Sequence, residues 1–333
     1  MLRFSIVILG IEFNLMILLI AFLRLVRWQN LMFIAITQVL FYYCFMYFHD
    51  HNPLFQENFL KPYLFLLLVI ASVLIAAAGY IINDYFDLNI DKINKPSKII
   101  VEKIIRRRWA IVWHLILSAI GIVLSFYIGY KTNNILLGLL NFCSAILLWL
   151  YSTKFKKELM IGNIIISLLT AWVVIVLYFC ELRFYYVFND ESENYKKYIT
   201  LLFKVAVLYG GFAFIISIIR EVIKDLEDMQ GDEKHGCRTM PIVWGIPAAK
   251  IFAGTWLVVL IAALCIVQFY AIQLHWWFAA LYCVIVVIGP LIYILRKLGK
   301  AMVPGDYHKL STQVKLVMLA GILSMIFFTV YRL

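Results

Sequence analysis

Apolar residues run along this chain in long unbroken blocks, not at alternating positions. Nine blocks stand near 30–49, 63–82, 108–130, 133–150, 160–180, 198–219, 248–270, 275–296 and 312–331. Each approaches the about 20 apolar residues that carry a helix across a bilayer. A barrel strand would show alternation over about 10 residues, and no such pattern is present. The polar stretches between blocks are short. The pattern therefore predicts an all-α, polytopic membrane helical bundle of nine transmembrane helices, with polar loops over a central cavity. Segment 4–23 is apolar too, but it carries Glu12 and Asn14. It fits a tenth span or a helix lying in the interface, and no small-residue cleavage site follows it. The expected division is an N-terminal apolar or interfacial segment, 1–29, and a single transmembrane domain, 30–333.

Composition narrows the class. Of 333 residues, 64% are hydrophobic and 15% charged, against roughly 45–50% and about 25% in soluble proteins. That excludes an ordinary soluble enzyme and a disordered chain. The net charge of +11 needs no nucleic-acid partner. Most Lys and Arg fall before the first block or in the polar stretches after even-numbered blocks, as cytoplasmic loops do. The protein is thus expected to be integral and multi-pass, with those loops cytoplasmic (at the inner membrane, in a bacterial cell). None of the six cysteines forms a CxxC pair, so buried thiols are expected. No histidine has metal-ligand spacing. His114, inside the third block, is expected to bond a neighbouring helix.

Acidic residues change the picture. Six of the aspartates fall in two short runs, Asn83-Asp84-Tyr85-Phe86-Asp87-Leu88-Asn89-Ile90-Asp91 and Asp225-Leu226-Glu227-Asp228-Met229-Gln230-Gly231-Asp232. Both place Asp at i, i+3 and i+7, which is one face of a helix. The runs follow the second and sixth blocks, so both open on the same side. The expectation is that each acidic face extends from a membrane helix into a polar loop. Three carboxylates on one face repel unless a cation sits there. One such cluster fits a solvated loop with capping aspartates equally well. Two with identical spacing on one side point to metal. Hard carboxylate oxygens suit Mg²⁺, which binds through a few carboxylates plus substrate phosphates. Facing clusters would hold about two or three Mg²⁺ ions with a diphosphate between them. Arg220, Lys224, Lys234 and Arg238 surround the second run, and Lys92, Lys95 and Lys98 follow the first. After the fourth block, Tyr151-Ser152-Thr153-Lys154-Phe155-Lys156-Lys157 offers hydroxyl and ammonium donors for phosphate. The turn-rich stretch 232–247 could cover the mouth and exclude water.

The motifs Asn-Asp-x-x-Asp-x-x-x-Asp at 83–91, Asp-x-x-Asp-x-x-x-Asp at 225–232 and Tyr-Ser-x-x-x-Lys at 151–156 together resemble the UbiA superfamily of intramembrane prenyltransferases. The resemblance runs from Arg24 to about residue 331. It implies nine transmembrane helices and a Mg²⁺-dependent transfer of a prenyl group from a polyprenyl diphosphate. By the family pattern Asn83, Asp84, Asp87 and Asp91 would bind Mg²⁺ and diphosphate from one side. Asp225, Asp228 and Asp232 would do so from the other, with Tyr151, Ser152 and Lys156 near the diphosphate or acceptor. Arg27 and Asn30 match an Arg-x-x-Asn pattern facing the same cavity, and Asn163 follows Gly162 as it often does in the family. Segments 84–94 and 220–232 are most similar to digeranylgeranylglyceryl phosphate synthases. Those relatives continue with Arg-Pro-x-x-Ser-Gly, where this chain reads Ser97-Lys98-Ile99-Ile100, and Lys98 stands where an arginine is usual.

The chemistry this resemblance implies is ionisation of a prenyl diphosphate to an allylic carbocation, the tail lying among apolar helices in contact with membrane lipid. The leading acceptor is a lipid such as geranylgeranylglyceryl phosphate. An aromatic quinone or pigment precursor, intramolecular cyclisation, a cation-coupled transporter and an inert lipid-binding relative are the competing readings. Transporter sites sit near the midplane, whereas these carboxylates gather at one face.

Overall fold

The polar breaks between blocks become helix ends in the computed structural model, which describes residues 16, 18–47, 60–97, 99–188 and 193–331. Among these residues nine helices are long and apolar enough to cross a membrane. They are α1 (Trp28–Met46), α2 (Pro62–Phe86), α3 (Arg107–Lys131), α4 (Ile135–Thr153), α5 (Ile161–Phe188), α6 (Glu193–Lys234), α7 (Ile246–Gln273), α8 (Trp277–Lys300) and α9 (Pro304–Val330). Prolines open α2, α7 and α9 within their first two positions, where a missing N–H costs nothing. Pro290 falls inside α8. It lacks the N–H that would complete the ladder, and the turn before it, Cys283–Ile288, is wound as a π-helix.

Helices α2 and α3 pack together, α5 lies along α6, and α6 lies along α9. A Cβ on Gly121 of α3 would stand 2.8 Å from Ile75 Cγ1 and 3.1 Å from Ala71 O of α2. Small residues bring membrane helices close in this way. The interior is stitched by polar bonds between helices. Gln38 donates to Ser72 Oγ (3.0 Å) and to Val173 O (3.2 Å). Asn141 donates to Ser125 Oγ (2.9 Å) and accepts from the Trp172 indole (2.9 Å). His114 shares a 3.0 Å bond with Ala78 O of α2, as expected of a histidine bonding a neighbouring helix. The outward faces of α3, α7 and α8 expose large apolar side chains such as Val123, Ile251 and Phe278, a surface suited to lipid.

One expectation changes. The second acidic run does not enter a loop, because α6 continues unbroken through Lys234. Asp225 and Asp228 find partners on Asn163 and Lys95, and no proline interrupts the helix. The first run does straddle a break. Helix α2 ends at Phe86, Asp87 has φ −80° and ψ −5°, and a short helix Leu88–Asn94 follows. Of segment 4–23, residues 4–15 and 17 lie outside the described residues. Residues 18–25 are helical, and Ala21, Leu25 and Val26 are buried in a cluster with Ala77, Ala78, Ile81 and Ala110.

Candidate active site

The first acidic face is built around the break after α2. Asp87 is buried. Its carboxylate accepts from the Asn83 amide at 2.7 Å and forms an ion pair with the Lys156 ammonium. One turn earlier, Asp84 accepts from the Arg27 guanidinium at 2.6 Å. Arg27 immediately precedes α1 in a left-handed conformation (φ 52°), and its guanidinium lies 5.1 Å from the centre of the Tyr80 ring. A non-glycine residue held there marks a locally strained, over-determined position. On the short helix, burial and the neighbouring Asp87 carboxylate push the Asp91 carboxyl up to about 6.

The second face lies along α6. Asp225 accepts from the Asn163 amide of α5 at 2.8 Å. Asp228 accepts from Lys95 at 2.6 Å. Asn94 clamps the same turn, donating to Asp228 O and accepting from Gly231 N, both at 2.9 Å. Asp232 is buried. The two faces are tied to each other: Lys95 and Asn94 follow the first run and bind the second.

Lys156 links them further. It lies on the turn Phe155–Lys157 between α4 and α5. It acts electrostatically on Asp87 and Asp91 from one face and on Asp232 from the other. Burial lowers its proton affinity, but the adjacent Asp87 carboxylate outweighs that and holds the ammonium well above its ordinary range. Gly162 makes room for this turn. A Cβ there would meet Phe155 O at 2.8 Å and Lys156 Cα at 3.0 Å.

The other residues anticipated from the sequence are placed as follows. Ser152 is buried and its hydroxyl donates to Leu148 O of its own helix at 2.9 Å. Arg238 is exposed, and its backbone N–H donates to Lys157 O at 2.7 Å. That bond docks the stretch after α6 onto the turn carrying Lys156. Lys98 lies outside the described residues. Arg220 and Lys224 both bind Glu221, at 3.1 Å and 2.9 Å. Asn30 accepts from Lys315 at 2.6 Å. The sequence reading missed Glu221, Asn94, Tyr80 and Lys315. Glu221 stands four residues before Asp225, on the same helical face, and that spacing was a usable signal. Tyr80, Asn94 and Lys315 carried none, because their partners are distant in sequence.

A bundle of apolar helices with two facing acidic surfaces at one end, cross-linked by lysines and asparagines, defines an intramembrane enzyme acting on a polyanionic head group attached to an apolar tail. Residues 54–302 match the model of the UbiA prenyltransferase family. The chain belongs to that family, and it is a multi-pass integral membrane prenyltransferase. It is 31% identical over 229 residues to the digeranylgeranylglyceryl phosphate synthase of Methanothermobacter thermautotrophicus, covering 68% of this chain and 71% of that one. A solved structure from work on digeranylgeranylglyceryl phosphate synthase in membranes is 26% identical, with a TM-score of 0.56, covering 92% of this chain and 98% of that one. A UbiA homolog from Archaeoglobus fulgidus, bound to DMAPP and Mg²⁺, shares the fold with a TM-score of 0.57 at 14% identity, over 91% of this chain and 98% of its own.

Proposed function

We propose that this protein transfers a geranylgeranyl group from its diphosphate to the free hydroxyl of geranylgeranylglyceryl phosphate, with Mg²⁺ held between the two acidic faces. The observation that carries the proposal is the convergence of the two aspartate runs around Lys156 and Lys95. The synthase named above, at 31% identity, supports the acceptor class. The basic character of the loops at this end supports a cytoplasmic site.

The residues present fit Mg²⁺. Asp84, Asp87, Asp91, Asp225, Asp228 and Asp232 are hard oxygen donors. Asn83 Oδ1 is buried with no hydrogen-bond partner, an acceptor available to a cation. Among the described residues no three acidic side chains are grouped closely enough to hold a metal; a guanidinium, lysines and amides engage four of the carboxylates, Asp84, Asp87, Asp225 and Asp228. Bound Mg²⁺ supplies Lewis-acid neutralisation of the charge that develops on the leaving diphosphate.

The chain does the rest. Lys156 and Lys95, released from Asp87 and Asp228, donate to diphosphate oxygens. Arg27, Asn30 and Tyr151 line the approach to the reacting carbon. The apolar interior takes the prenyl tail. The docked stretch after Lys234 keeps water from the allylic cation, which water would otherwise capture as an alcohol. The donor C–O bond breaks, the acceptor oxygen forms the new C–O bond, and its proton leaves with the diphosphate.

The test uses purified protein, labelled geranylgeranyl diphosphate, Mg²⁺ or EDTA, and either geranylgeranylglyceryl phosphate or 4-hydroxybenzoate. Mg²⁺-dependent labelling of the glyceryl phosphate is expected, lost in Asp87→Ala and Asp228→Ala. Labelling of only the aromatic acceptor overturns the lipid acceptor. Diphosphate release with a cyclic hydrocarbon product replaces transfer by cyclisation.

A further inference from the structure

A second group of charges lies where α1, α6 and α9 meet. Lys315 of α9 donates to Asn30 Oδ1 at 2.6 Å, and its ammonium lies 5.1 Å from the centre of the Phe33 ring. Arg27 and Arg220 are near enough to act on Lys315 electrostatically, and Lys224 feels both arginines. Two carboxylates pair with these four cations: Asp84 holds Arg27, and Glu221 is shared by Arg220 and Lys224. Among the described residues Lys315 has an amide oxygen as partner and no carboxylate within ion-pair distance. The Arg220 Nε is buried with no hydrogen-bond partner. This is an N–H donor without an acceptor beside a lysine without an anion, inside a membrane bundle. Such charges are costly and typically mark a ligand path.

The arithmetic of charge names the ligand class. Whether Asp84 stays on Arg27 or turns to Mg²⁺, the four cations outnumber their carboxylates by at least two, an excess that suits a phosphate monoester, which carries about −1.5 to −2 at neutral pH. In the reading above the donor diphosphate is accounted for by Mg²⁺ between the aspartate faces and by Lys95 and Lys156. Arg220 precedes Asp225 by five residues on α6, about 7.5 Å along the helix axis. That is far enough to serve a second anion and close enough for both substrates to meet.

We propose that Arg27, Arg220, Lys224 and Lys315 form the site for the phosphate of the acceptor lipid, with Lys315 the member that makes the enzyme select a phosphorylated acceptor. The inference rests on the acceptor reading above and adds a location and a selecting residue to it.

The test compares wild type with Lys315→Met, Lys315→Gln and Lys315→Arg. The acceptors are geranylgeranylglyceryl phosphate and the same lipid without its phosphate, at saturating labelled donor and Mg²⁺. Wild type is expected to favour the phosphorylated acceptor. Loss of one charge-assisted bond predicts an acceptor KM about 10- to 100-fold higher in Lys315→Met and Lys315→Gln. The donor KM should move less than about 3-fold, and the KM for the unphosphorylated lipid should stay at its wild-type value, so the preference collapses. Lys315→Arg should retain most of it. A merely structural lysine would lower kcat for both lipids alike and leave the preference intact, and that result overturns the proposal. A rise in donor KM instead of acceptor KM also overturns it, since the cluster would then serve the diphosphate. If wild type releases diphosphate with Mg²⁺ yet labels neither lipid, the acceptor reading itself has failed, and this inference with it. Lys315→Gln keeps the test open if the Met variant does not fold.

Discussion

Removing the carboxylate of Asp87 should damage the protein twice, and the two effects are separable. Asp87 is 6% exposed at its side chain and Lys156 is 30% exposed. In Asp87→Ala the ammonium loses its ion-pair partner, keeping only the more distant Asp91 and Asp232, and the Asn83 amide loses the acceptor it reaches at 2.7 Å. Breaking a fully buried pair from one side costs about 3–5 kcal/mol. Partial exposure of Lys156 lets water recover part of that, so we expect ~2 kcal/mol for the stranded ammonium. The orphaned amide adds ~1 kcal/mol. Melting in detergent should therefore occur at a clearly lower temperature than in wild type. The double variant Asp87→Ala with Lys156→Met removes both charges and should recover about 2 kcal/mol, since the penalty comes from the unpaired charge. Transfer activity should be lost in the single and double variants alike, because Asp87 is proposed as a metal ligand. If the single variant melts like wild type, or the double is as unstable as the single, the pair carries no such load and the reasoning is wrong.

Gly162→Ala should lower activity about 10-fold or more, because a Cβ 2.8 Å from Phe155 O must displace the turn that positions Lys156; unaltered kinetics would show that the turn yields without consequence. Ser152→Ala should change activity by less than about 2-fold, since its hydroxyl serves its own helix; a large loss in the transfer assay would place that hydroxyl on substrate. The Asp91 carboxyl, pushed up to about 6 by burial and the Asp87 carboxylate, is protonated in the metal-free protein below that pH and must lose its proton to bind a cation. The Mg²⁺-induced rise in melting temperature should accordingly grow as pH increases from about 5 to about 7.5 and be smallest at the acid end. Through this group, stability of the metal-free form should fall as pH rises from the ordinary carboxyl value of about 4 to about 6. A Mg²⁺ shift independent of pH would remove Asp91 from the ligand set.

Hydrophobic blocks and the paired Asp spacing already specified the architecture and the chemistry. Both are short-range statements. An apolar run of bilayer length has one low-energy form in lipid, because its backbone must bond to itself. A spacing of three and seven residues is a face on any helix. The two one-faced aspartate clusters were therefore legible as clusters, and the family pattern pointed to Lys156 and Arg27, which the structure pairs with Asp87 and Asp84. The hidden contacts depend on residues far apart in the chain. Only the packed bundle brings Lys95 onto Asp228, Asn94 onto the Asp228–Gly231 turn, and Lys315 onto Asn30. The polar character of the second acidic run suggested that its helical face extends from the membrane helix into a loop. The unbroken helix through Lys234 shows that partners supplied by other helices stabilise those charges in helical form. Ser152 illustrates the converse: its motif position was readable, but its hydroxyl bonds to Leu148 O. Charge pairing across helices is a tertiary quantity, and at this site it decides which side chains meet.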